Sequence, residues 1–446
     1  MADEQDNLPE QLGGYSAPIR FRFATAEDGP EIDRLLALGY PEEFRSHFLL
    51  PYSLKATQKS AVIVAEYGSI VGVVYLVPGA TPGSAMITNG VVDPTYRGYG
   101  FFAQLVRAAV QHAVNCRCRW VYTVFDESNT KAAEIFERLG FVNSFTEIHD
   151  EWCRPQVEYY LLLDSSLELD FSFSRTLAQL RRKIGTPAYQ AQLGRWIETI
   201  QRRISLSRST REPPALNRFK ALWSELGPLA NAMNSTEERL DMKVVLPPTA
   251  EEQEKFVVER GGYRVRFARP VDVPRINEII QICFKDTYDA DLLRPFNFDA
   301  YRYAASFVAE SSQGIDGVEF FVPAGAPGSV LHLCGSVHPD RRGMAYLAIS
   351  AVAKQYCLDR KLLWNCGYVL VDNLRMQQVF PRMGFKKHDT VVQDDLCRLS
   401  NPYHRIYDEG VLREFAFTES LSTLRQLLGD EQYRELISTW NENLST

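Results

Sequence analysis

The chain contains one sequence pattern twice. Residues 92–100 read Val-Asp-Pro-Thr-Tyr-Arg-Gly-Tyr-Gly, and residues 337–345 read Val-His-Pro-Asp-Arg-Arg-Gly-Met-Ala, 245 positions later. Further matches flank both copies at an offset of 244: Asn129 with Gly140-Phe141 against Asn373 with Gly384-Phe385, and Arg22-Phe23-Ala24 against Arg266-Phe267-Ala268. Three matches held in nearly one register predict a duplicated domain.

Length and composition fit a globular protein of several domains. At about 150 residues per domain, 446 residues allow about three units. A hydrophobic fraction of 45% and a charged fraction of 24% are ordinary for a soluble protein. No stretch approaches the roughly 18 uncharged apolar residues of a membrane span, and residues 1–6 are too acidic for a secretory signal. The eight cysteines are scattered, so we expect reduced thiols, no metal site and a cytoplasmic location.

The first predicted domain, residues 19–165, alternates strand and helix patterns. Apolar residues alternate with arginine at the start, and later apolar runs have strand length. A first helix opens at 26–28 and carries Ile32, Leu35 and Leu36 on one face, helical spacing also follows the repeated pattern, and a last helix ends at Gly140. The predicted strands are 19–23, 61–65, 70–75, 86–92 and 120–125, and the two later helices are 98–113 and 130–139. This order indicates a mixed sheet covered by helices.

The second predicted domain, residues 259–397, repeats this order. A basic connector, residues 166–258, separates the two, and residues 398–446 are predicted to form a C-terminal helical extension. Between 175 and 220 the chain has eleven Lys or Arg and two Asp or Glu, a local charge of +9 in a chain of net charge −7. Apolar residues keep helical spacing inside this stretch: Leu193, Trp196, Ile197, Ile200 and Ile204. The expected fold class is α/β (α+β), with two mixed β-sheets flanked by helices and joined by a helical connector.

The repeated pattern lies between a strand and a helix and has the composition of an anion site. The first amide hydrogens of a helix have no intrahelical partner, and the helix dipole adds about 0.3–1 kcal/mol per anionic interaction. The glycines let the backbone close on an oxygen, and Arg97 adds a charged, forked donor. Together these features predict a pyrophosphate-binding loop.

The repeated residues resemble the GNAT superfamily of acyl-CoA-dependent N-acyltransferases. That family has Val-x-Pro-x-x-Arg-Gly-x-Gly, then an asparagine further on, then a helix that ends in Gly-Phe. The resemblance covers about residues 21–150 and 263–390 and implies two GNAT-like domains in tandem. It also implies that the cofactor is acetyl-CoA or another acyl-CoA, with no metal.

The resemblance assigns cofactor contacts residue by residue. Amides after Arg97 are expected to hold the pyrophosphate of coenzyme A, the strand at 90–92 to pair with its pantetheine arm, and Asn129 to contact pantetheine. The predicted cofactor-binding residues are Val91, Val92, Arg97, Gly98, Tyr99, Gly100 and Asn129 in the first copy, and Arg342, Gly343, Met344, Ala345 and Asn373 in the second. Aligned at one offset, Ala345 replaces Gly100 and Leu347 replaces Phe102, so the first copy is predicted to bind pyrophosphate better.

The proton-transfer groups depart from the family pattern. Many members have a tyrosine, four residues before the Gly-Phe pair, as the acid for the leaving thiolate, but this chain has Phe136 and Phe380 there. A phenyl ring has no proton to give, although loss of a general acid typically costs only about 10²–10⁴-fold. Candidate bases are Asp126 and Glu127, which also fit a helix cap, and the histidines His332 and His338.

The sequence therefore predicts a cytoplasmic acyltransferase. It moves an acyl group, most simply acetyl, from a coenzyme A thioester to an amine on a small molecule or peptide, by direct attack in a ternary complex. Two alternatives stay open: a non-catalytic acyl-CoA sensor or scaffold, and transfer from a carrier-protein or aminoacyl-tRNA donor. For the second, the basic connector is the predicted docking surface for an acidic carrier protein. DNA is not an expected partner, because the chain as a whole is acidic.

Overall fold

The computed structural model describes residues 19–210, 216–221, 246–289, 293, 295–341 and 344–445. The acidic segment 1–6 and the predicted cofactor residues Arg342 and Gly343 lie outside these ranges. The first lobe, residues 20–162, has the strands β1 (Arg20–Phe23), β2 (Ala61–Tyr67), β3 (Ser69–Pro78), β4 (Ser84–Val92), β5 (Trp120–Asp126), β6 (Val142–His149) and β7 (Pro155–Leu162). Its helices are α1 (Gly29–Gly39), α2 (Pro41–Arg45), α3 (Phe101–Asn115) and α4 (Thr130–Arg138).

The first sheet is mixed and has a separate apolar core on each face. Its strand order is β1-β2-β3-β4-β5-β7-β6, with β4 and β5 parallel and the other neighbours antiparallel. On one face, α1 buries Ile32, Leu35 and Leu36, which are three and four residues apart as an amphipathic helix requires. On the other face, α3 buries Leu105 and Ala109. Helices therefore cover the sheet from both sides.

The connector after the first lobe is largely helical. It contains α5 (Glu168–Ile184), α6 (Thr186–Thr210), α7 (Leu216–Lys220) and α8 (Ala250–Lys255). Trp196 and Ile200 of α6 are 2% exposed, so the apolar spacing read from the sequence does mark a buried helix face. Within the described ranges, each helix is too short or too polar to cross a lipid bilayer.

The second lobe, residues 257–406, repeats the first. Its helices are α9 (Val273–Cys283), α10 (Lys285–Asp289), α11 (Met344–Asp359) and α12 (Leu374–Arg382). Its strands are β8 (Val257–Arg260), β9 (Tyr263–Phe267), β10 (Ala305–Ser311), β11 (Gly314–Pro323), β12 (Ser329–Val337), β13 (Trp364–Leu370), β14 (Lys386–Lys387), β15 (Val392–Gln393) and β16 (Leu399–Ile406). The order β14-β16-β13-β12-β11-β10-β9-β8 matches that of the first sheet, with β8 added at one edge. The predicted fold class, two mixed sheets flanked by helices, is confirmed.

The second lobe extends beyond the predicted domain limits of 259 and 397 at both ends. Strand β8 begins at Val257, and β16 pairs with β13 from Leu370–Ser400 to Trp364–Ile406. The last strand, β16, belongs to the lobe because it pairs with β13, which is distant in the sequence. No local sequence pattern therefore marks the end of the lobe. The C-terminal helices begin after it, as α13 (Glu409–Leu428) and α14 (Asp430–Ser445).

The connector and the C-terminal extension form one helical bundle. Helix α6 packs on α13 and α5 on α14, around a shared core that includes Leu193, Trp196, Leu424 and Trp440. Basic connector residues pair with acidic residues of the C-terminal helices, as in Arg181 with Glu414 at 3.4 Å and Lys220 with Glu435 at 2.5 Å. Part of the +9 charge is therefore neutralised inside the protein.

The two lobes contact each other through equivalent hairpins. The amide of His149 in the first lobe donates to the carbonyl of Gly325 in the second, and the amide of Gln393 donates to the carbonyl of Ala80, both at 2.6 Å. The donors are offset by 244 positions and the acceptors by 245, the same offsets as the sequence repeat. Each lobe thus places the turn of its β6–β7 or β15–β16 hairpin against the other, in an approximately twofold arrangement.

The side chain of Arg302 in the second lobe contacts two residues of the first lobe. Its guanidinium carbon lies 3.7 Å from the ring centroid of Trp152 and its Nη1 lies 2.6 Å from Oε1 of Glu42, both in the first lobe. We expect Arg302→Ala to lower the free energy of unfolding by about 1–2 kcal/mol, because it removes a cation–π contact and an ion pair. Lys255→Ala is the control, since its pair with Glu251 is largely exposed. Urea unfolding of both variants tests this, and equal stabilities would contradict it.

Candidate active site

Strands β4 and β5 separate in the middle of the first sheet. They pair in parallel from Ser84–Trp120 to Ile87–Thr123, and the pairing ends there. Asn89, two residues further along β4, has a φ of 51°, and the register of β3 with β4 shifts nearby. The carboxyl end of β4, including Val91 and Val92, keeps its pairing with β3 but loses that with β5. This edge offers backbone donors and acceptors to a ligand.

The loop after β4 leads directly into a helix N-terminus. Asp93 closes a single 3-10 turn by accepting from the amide of Thr95 at 3.0 Å. Gly98 and Gly100 then have φ values of 91° and 77°, in the left-handed region that favours glycine. Gly100 is the N-cap of α3, and no side chain caps that helix end.

This loop, residues 97–101, is open to the outside and is called the cradle below. A Cβ built on Gly98 or Gly100 would meet nothing within 4 Å. Arg97 is exposed, and its Nε donates to the carbonyl of Val92 at 3.3 Å. Free amides of a fifteen-residue helix, two turn-forming glycines and a guanidinium are the donors that a pyrophosphate requires. The cradle therefore fits the diphosphate of a nucleotide cofactor.

Comparison with known families agrees with this geometry. The model of the acetyltransferase (GNAT) family matches residues 30–141. This segment is a GNAT acetyltransferase domain. The match runs from α1 to Phe141 and includes the cradle, whereas β6, β7 and the second lobe lie outside it. No curated protein matches the chain at a significant level.

Several solved acetyltransferase structures are similar to part of the chain. A Bacillus subtilis acetyltransferase in complex with CoA is 22% identical, covers 33% of this chain and 99% of its own, and has a TM-score of 0.28. An N-acetyltransferase from Staphylococcus aureus Mu50 is 18% identical, with coverages of 33% and 100% and a TM-score of 0.29. The putative acetyltransferase yncA from Salmonella typhimurium, solved with acetyl-CoA, is 16% identical, with coverages of 33% and 95% and a TM-score of 0.27.

The second lobe has a shorter loop where the GNAT domain has its cradle. A Cβ on Gly72 would face Leu105 at 3.0 Å and the carbonyl of Val91, and one on Gly317 would face Ile349 at 3.1 Å and the carbonyl of Ser336. These contacts make Leu105 equivalent to Ile349 and Val91 equivalent to Ser336. Val91 and Leu105 are fourteen positions apart in the sequence, whereas Ser336 and Ile349 are thirteen positions apart. The second lobe therefore has one residue fewer before this point of α11.

The missing residue corrects the alignment of the two loops. A Cβ on Gly90 would lie 2.6 Å from Phe102, and one on Gly335 would lie 2.8 Å from Tyr346. Tyr346, not Leu347, is therefore the counterpart of Phe102. Met344 is already the first residue of helix α11, and Ala345 is fully buried, so Ala345 does not take the place of Gly100.

The acidic candidates of the GNAT domain lie in a helix-capping segment. Oδ1 of Asp126 accepts from the amide of Ser128 at 2.9 Å and from its hydroxyl at 2.5 Å. Asn129 is the N-cap of α4 and accepts from the amide of Ala132 at 3.2 Å. Glu127 is exposed. Asn373 caps α12 in the same way, through the amide of Met376 at 3.2 Å.

The two histidine candidates lie in different surroundings. His338 is the counterpart of Asp93, and its Nδ1 accepts from the amide of Asp340 at 3.4 Å, so it caps a turn. The side chain of His332 is 4% exposed, and its Nε2 is hydrogen-bonded to the carboxylate of Glu319 and lies 3.2 Å from the hydroxyl of Tyr346. His332 also stacks 5.8 Å from Phe380. This buried polar group occupies the side of the second sheet that α11 and α12 cover.

The phenylalanines at the family's acid position are core residues. Phe136 is 2% exposed and stacks on Phe125 at 5.6 Å, and Phe380 is 4% exposed and contacts Phe385 at 4.8 Å. Neither position offers a proton. Among the described residues, no three His, Cys, Asp or Glu side chains converge as metal ligands would, and all eight cysteines are free thiols.

Sequence reasoning missed the polar side chains on the other face of the GNAT domain. Tyr122 on β5 and Glu158 on β7 are half-buried there, beside the point where β4 and β5 separate. Glu158 lies in a strand that the sequence analysis did not predict. Its proximity to the site depends on the pairing of β7 with β5, which no local pattern announces.

Proposed function

We propose that the GNAT domain transfers an acyl group, most simply acetyl, from a coenzyme A thioester to an amine of a small molecule or peptide, in the cytoplasm. The observation that carries this proposal is the open cradle at the N-terminus of α3, next to the unpaired edge of β4. When bound, acyl-CoA supplies an activated thioester carbonyl.

Each part of the site has a task in this reaction. The amides that follow Gly98, together with Arg97, bind the pyrophosphate. The backbone groups of Val91 and Val92 that are not bonded to β3 bond to the pantetheine amides and hold the carbonyl near the gap between the strands. A backbone amide at this edge polarises the carbonyl as the amine attacks. We propose that the second lobe is a related domain that shapes the acceptor cleft, because its loop is shorter and it lies outside the family match.

A non-catalytic acyl-CoA sensor is the second candidate, favoured by the buried Phe136 and Phe380. Release of coenzyme A thiol from acetyl-CoA, measured with a panel of primary amines, separates the two. An acyltransferase releases thiol in an amine-dependent manner. A sensor binds acetyl-CoA in calorimetry without any amine-dependent release, and that result would overturn the proposed activity.

A glycine substitution tests whether the shape of the cradle matters. Gly100→Ala keeps the loop free of clashes, but a left-handed residue with a side chain costs about 1–2 kcal/mol. We expect the loop to relax and the affinity for coenzyme A to fall about tenfold. Gly68→Ala is a matched control in the β2–β3 turn, with a φ of 73° and equally open surroundings. Calorimetric titration should show lost affinity for Gly100→Ala alone, and equal affinities would contradict a role for this conformation.

A further inference from the structure

One face of the GNAT domain sheet is open where β4 and β5 separate. Side chains alternate between the two faces along a strand. The residues that point toward α3 and α4 are buried, namely Ala85, Ile87, Val121 and Thr123. Their neighbours on the other face are half-buried, namely Met86, Thr88, Tyr122 and Val124. An acceptor therefore has access to the gap from the second face.

Glu158 lies on this open face, level with the gap. Residues that are directly opposite in an antiparallel pair share a face, and Glu158 is opposite Val124. Val124 is the first residue of β5 beyond the last parallel pair, Ile87–Thr123. Tyr122 is diagonal to Glu158 on the same face, within about 7–8 Å between Cα atoms. The carboxylate thus stands beside the separation of the strands, on the side that helices α3 and α4 leave uncovered.

The second lobe has lost the polar groups of this face. The amide of Tyr52 donates to Oδ1 of Asp33 at 2.7 Å, and the amide of Phe296 donates to Oδ1 of Asn277 at 2.7 Å, which marks equivalent positions. With the strand registers, the equivalences extend to five positions: Asp33, Tyr52, Tyr75, Tyr122 and Glu158 correspond to Asn277, Phe296, Phe320, Cys366 and Pro402.

The part of the counterpart face around Phe296 and Phe320 is apolar and filled. Phe296 and Phe320 are 1% and 0% exposed and stack with ring centroids 4.9 Å apart. Neither phenylalanine, cysteine in a buried strand, nor proline supplies a carboxylate where Glu158 stands. Of the two lobes, only the GNAT domain combines an open cradle with a carboxylate at this position.

The second lobe nevertheless contributes to the open face of the first. The backbone amide of Gln393 donates to the carbonyl of Ala80. The backbone amide of Ala80 in turn donates to the hydroxyl of Tyr122 at 3.2 Å. Asp394 holds the turn that follows, by accepting from the amides of Leu396 and Arg398. Asp395, at the exposed tip of this turn, is close enough to Tyr122 to interact with it electrostatically. Carboxylates from both lobes therefore flank Tyr122.

We propose that Glu158 is the general base of the GNAT domain and that the acceptor enters as a protonated amine between Glu158 and Asp395. This inference rests on the proposed acyl transfer. Glu158 takes one proton from the ammonium, and the freed nitrogen lone pair forms the C–N bond while the C–S bond breaks. The sulfur leaves with the bonding electrons and takes the second N–H proton, and Glu158 passes its proton to solvent.

The surroundings of Glu158 suit this role. Burial raises the pKa of Glu158 above its ordinary value, and a hydrogen bond from Ser144 on β6 partly offsets the rise. The other titratable or charged groups around it are Tyr122 on β5, Tyr160 on β7, Arg175 of α5 near Tyr160, and Asp395 and Tyr368 of the second lobe, both near Tyr122. A base whose pKa lies closer to the working pH transfers protons more effectively.

Glu158→Gln tests the base, since glutamine keeps the shape but cannot accept the proton. We expect kcat to fall about 10²–10⁴-fold, with unchanged calorimetric affinity for acetyl-CoA. The low-pH decline of kcat/KM in the wild type should disappear. Glu158→Asp should recover part of kcat, which shows that a carboxylate and not the fold is at issue. Glu147→Gln, an exposed residue of the same hairpin, is the matched control and should behave as wild type.

Two further measurements separate this inference from the proposed activity. Infrared titration of the ligand-free protein should show a carboxyl that protonates above the ordinary glutamate range, present in Glu147→Gln and absent in Glu158→Gln. Asp395→Asn should raise KM for the amine and leave kcat nearly unchanged. Amine-dependent turnover that survives in Glu158→Gln within about threefold of wild type would overturn the role of Glu158. Absence of turnover in the wild type with every amine would instead overturn the acyl transfer, and this inference with it.

Discussion

Arg97→Glu is expected to lower the affinity of the protein for coenzyme A about 100-fold, which corresponds to about 2.8 kcal/mol. The substitution removes a charge-assisted donor to the pyrophosphate, worth about 1.5–3 kcal/mol, and adds a repulsive carboxylate at the mouth of the cradle. Arg97 is exposed and donates to the carbonyl of Val92 at the surface, so the fold should survive its substitution.

Titration calorimetry with coenzyme A and acetyl-CoA measures this effect. Arg342→Glu, at the corresponding place in the second repeat, is the matched control. Loss of affinity in Arg97→Glu alone supports a working site in the GNAT domain. Loss in Arg342→Glu alone would place the cofactor in the second lobe, and stepwise loss of two sites would mean that both lobes bind it.

Asp272→Asn is expected to destabilise the protein more than Asp28→Asn, although the two aspartates occupy equivalent positions. Asp272 forms a two-pronged ion pair with Arg266 at 2.6 and 3.1 Å, with side chains 6% and 7% exposed. The pair of Arg22 with Asp28 has the same form at 2.6 and 2.9 Å, but the arginine is 23% exposed. Removal of one partner from a buried pair costs up to about 3–5 kcal/mol, and Arg266 would keep only its second carboxylate partner, Glu310, at 3.2 Å.

Differential scanning calorimetry tests the comparison. At about 2–4 °C per kcal/mol for a domain of this size, Asp272→Asn should lower the melting temperature by roughly 10 °C. Asp28→Asn should lower it by less than half as much, since water screens its more exposed arginine. Equal shifts in the two variants would show that burial does not set the strength of this shared motif.

The main elements of both lobes were predictable from the sequence because they rest on local patterns. Strands β2 to β5 and helices α3 and α4 each have an apolar period that a short window reveals. Strand β6 was not predictable, because its pairing is interrupted between Asn143 and Glu147 and Phe145 has a φ of 59°. Strand β14 is only two residues long.

The candidate site was predictable only where sequence neighbours build it. The cradle is one continuous segment, so its glycines and Arg97 were visible at once. Glu158 reaches the site through the pairing of β7 with β5, and Asp395 through the contact between lobes. The sequence shows offsets of both 244 and 245 between the two copies, but it does not show at which position the offset changes. The place of the one-residue difference between the two loops was therefore not predictable. Contacts of Gly72 and Gly317 resolve it.

Of the two lobes, the GNAT domain is the one that we propose performs acyl transfer. The most direct test of this proposal is amine-dependent release of coenzyme A thiol by wild type, Arg97→Glu and Arg342→Glu at one subsaturating concentration of acetyl-CoA. We expect Arg97→Glu to lose activity about 100-fold, in line with its lost affinity, and Arg342→Glu to stay within about threefold of wild type. Retained activity in Arg97→Glu together with lost activity in Arg342→Glu would contradict the proposal.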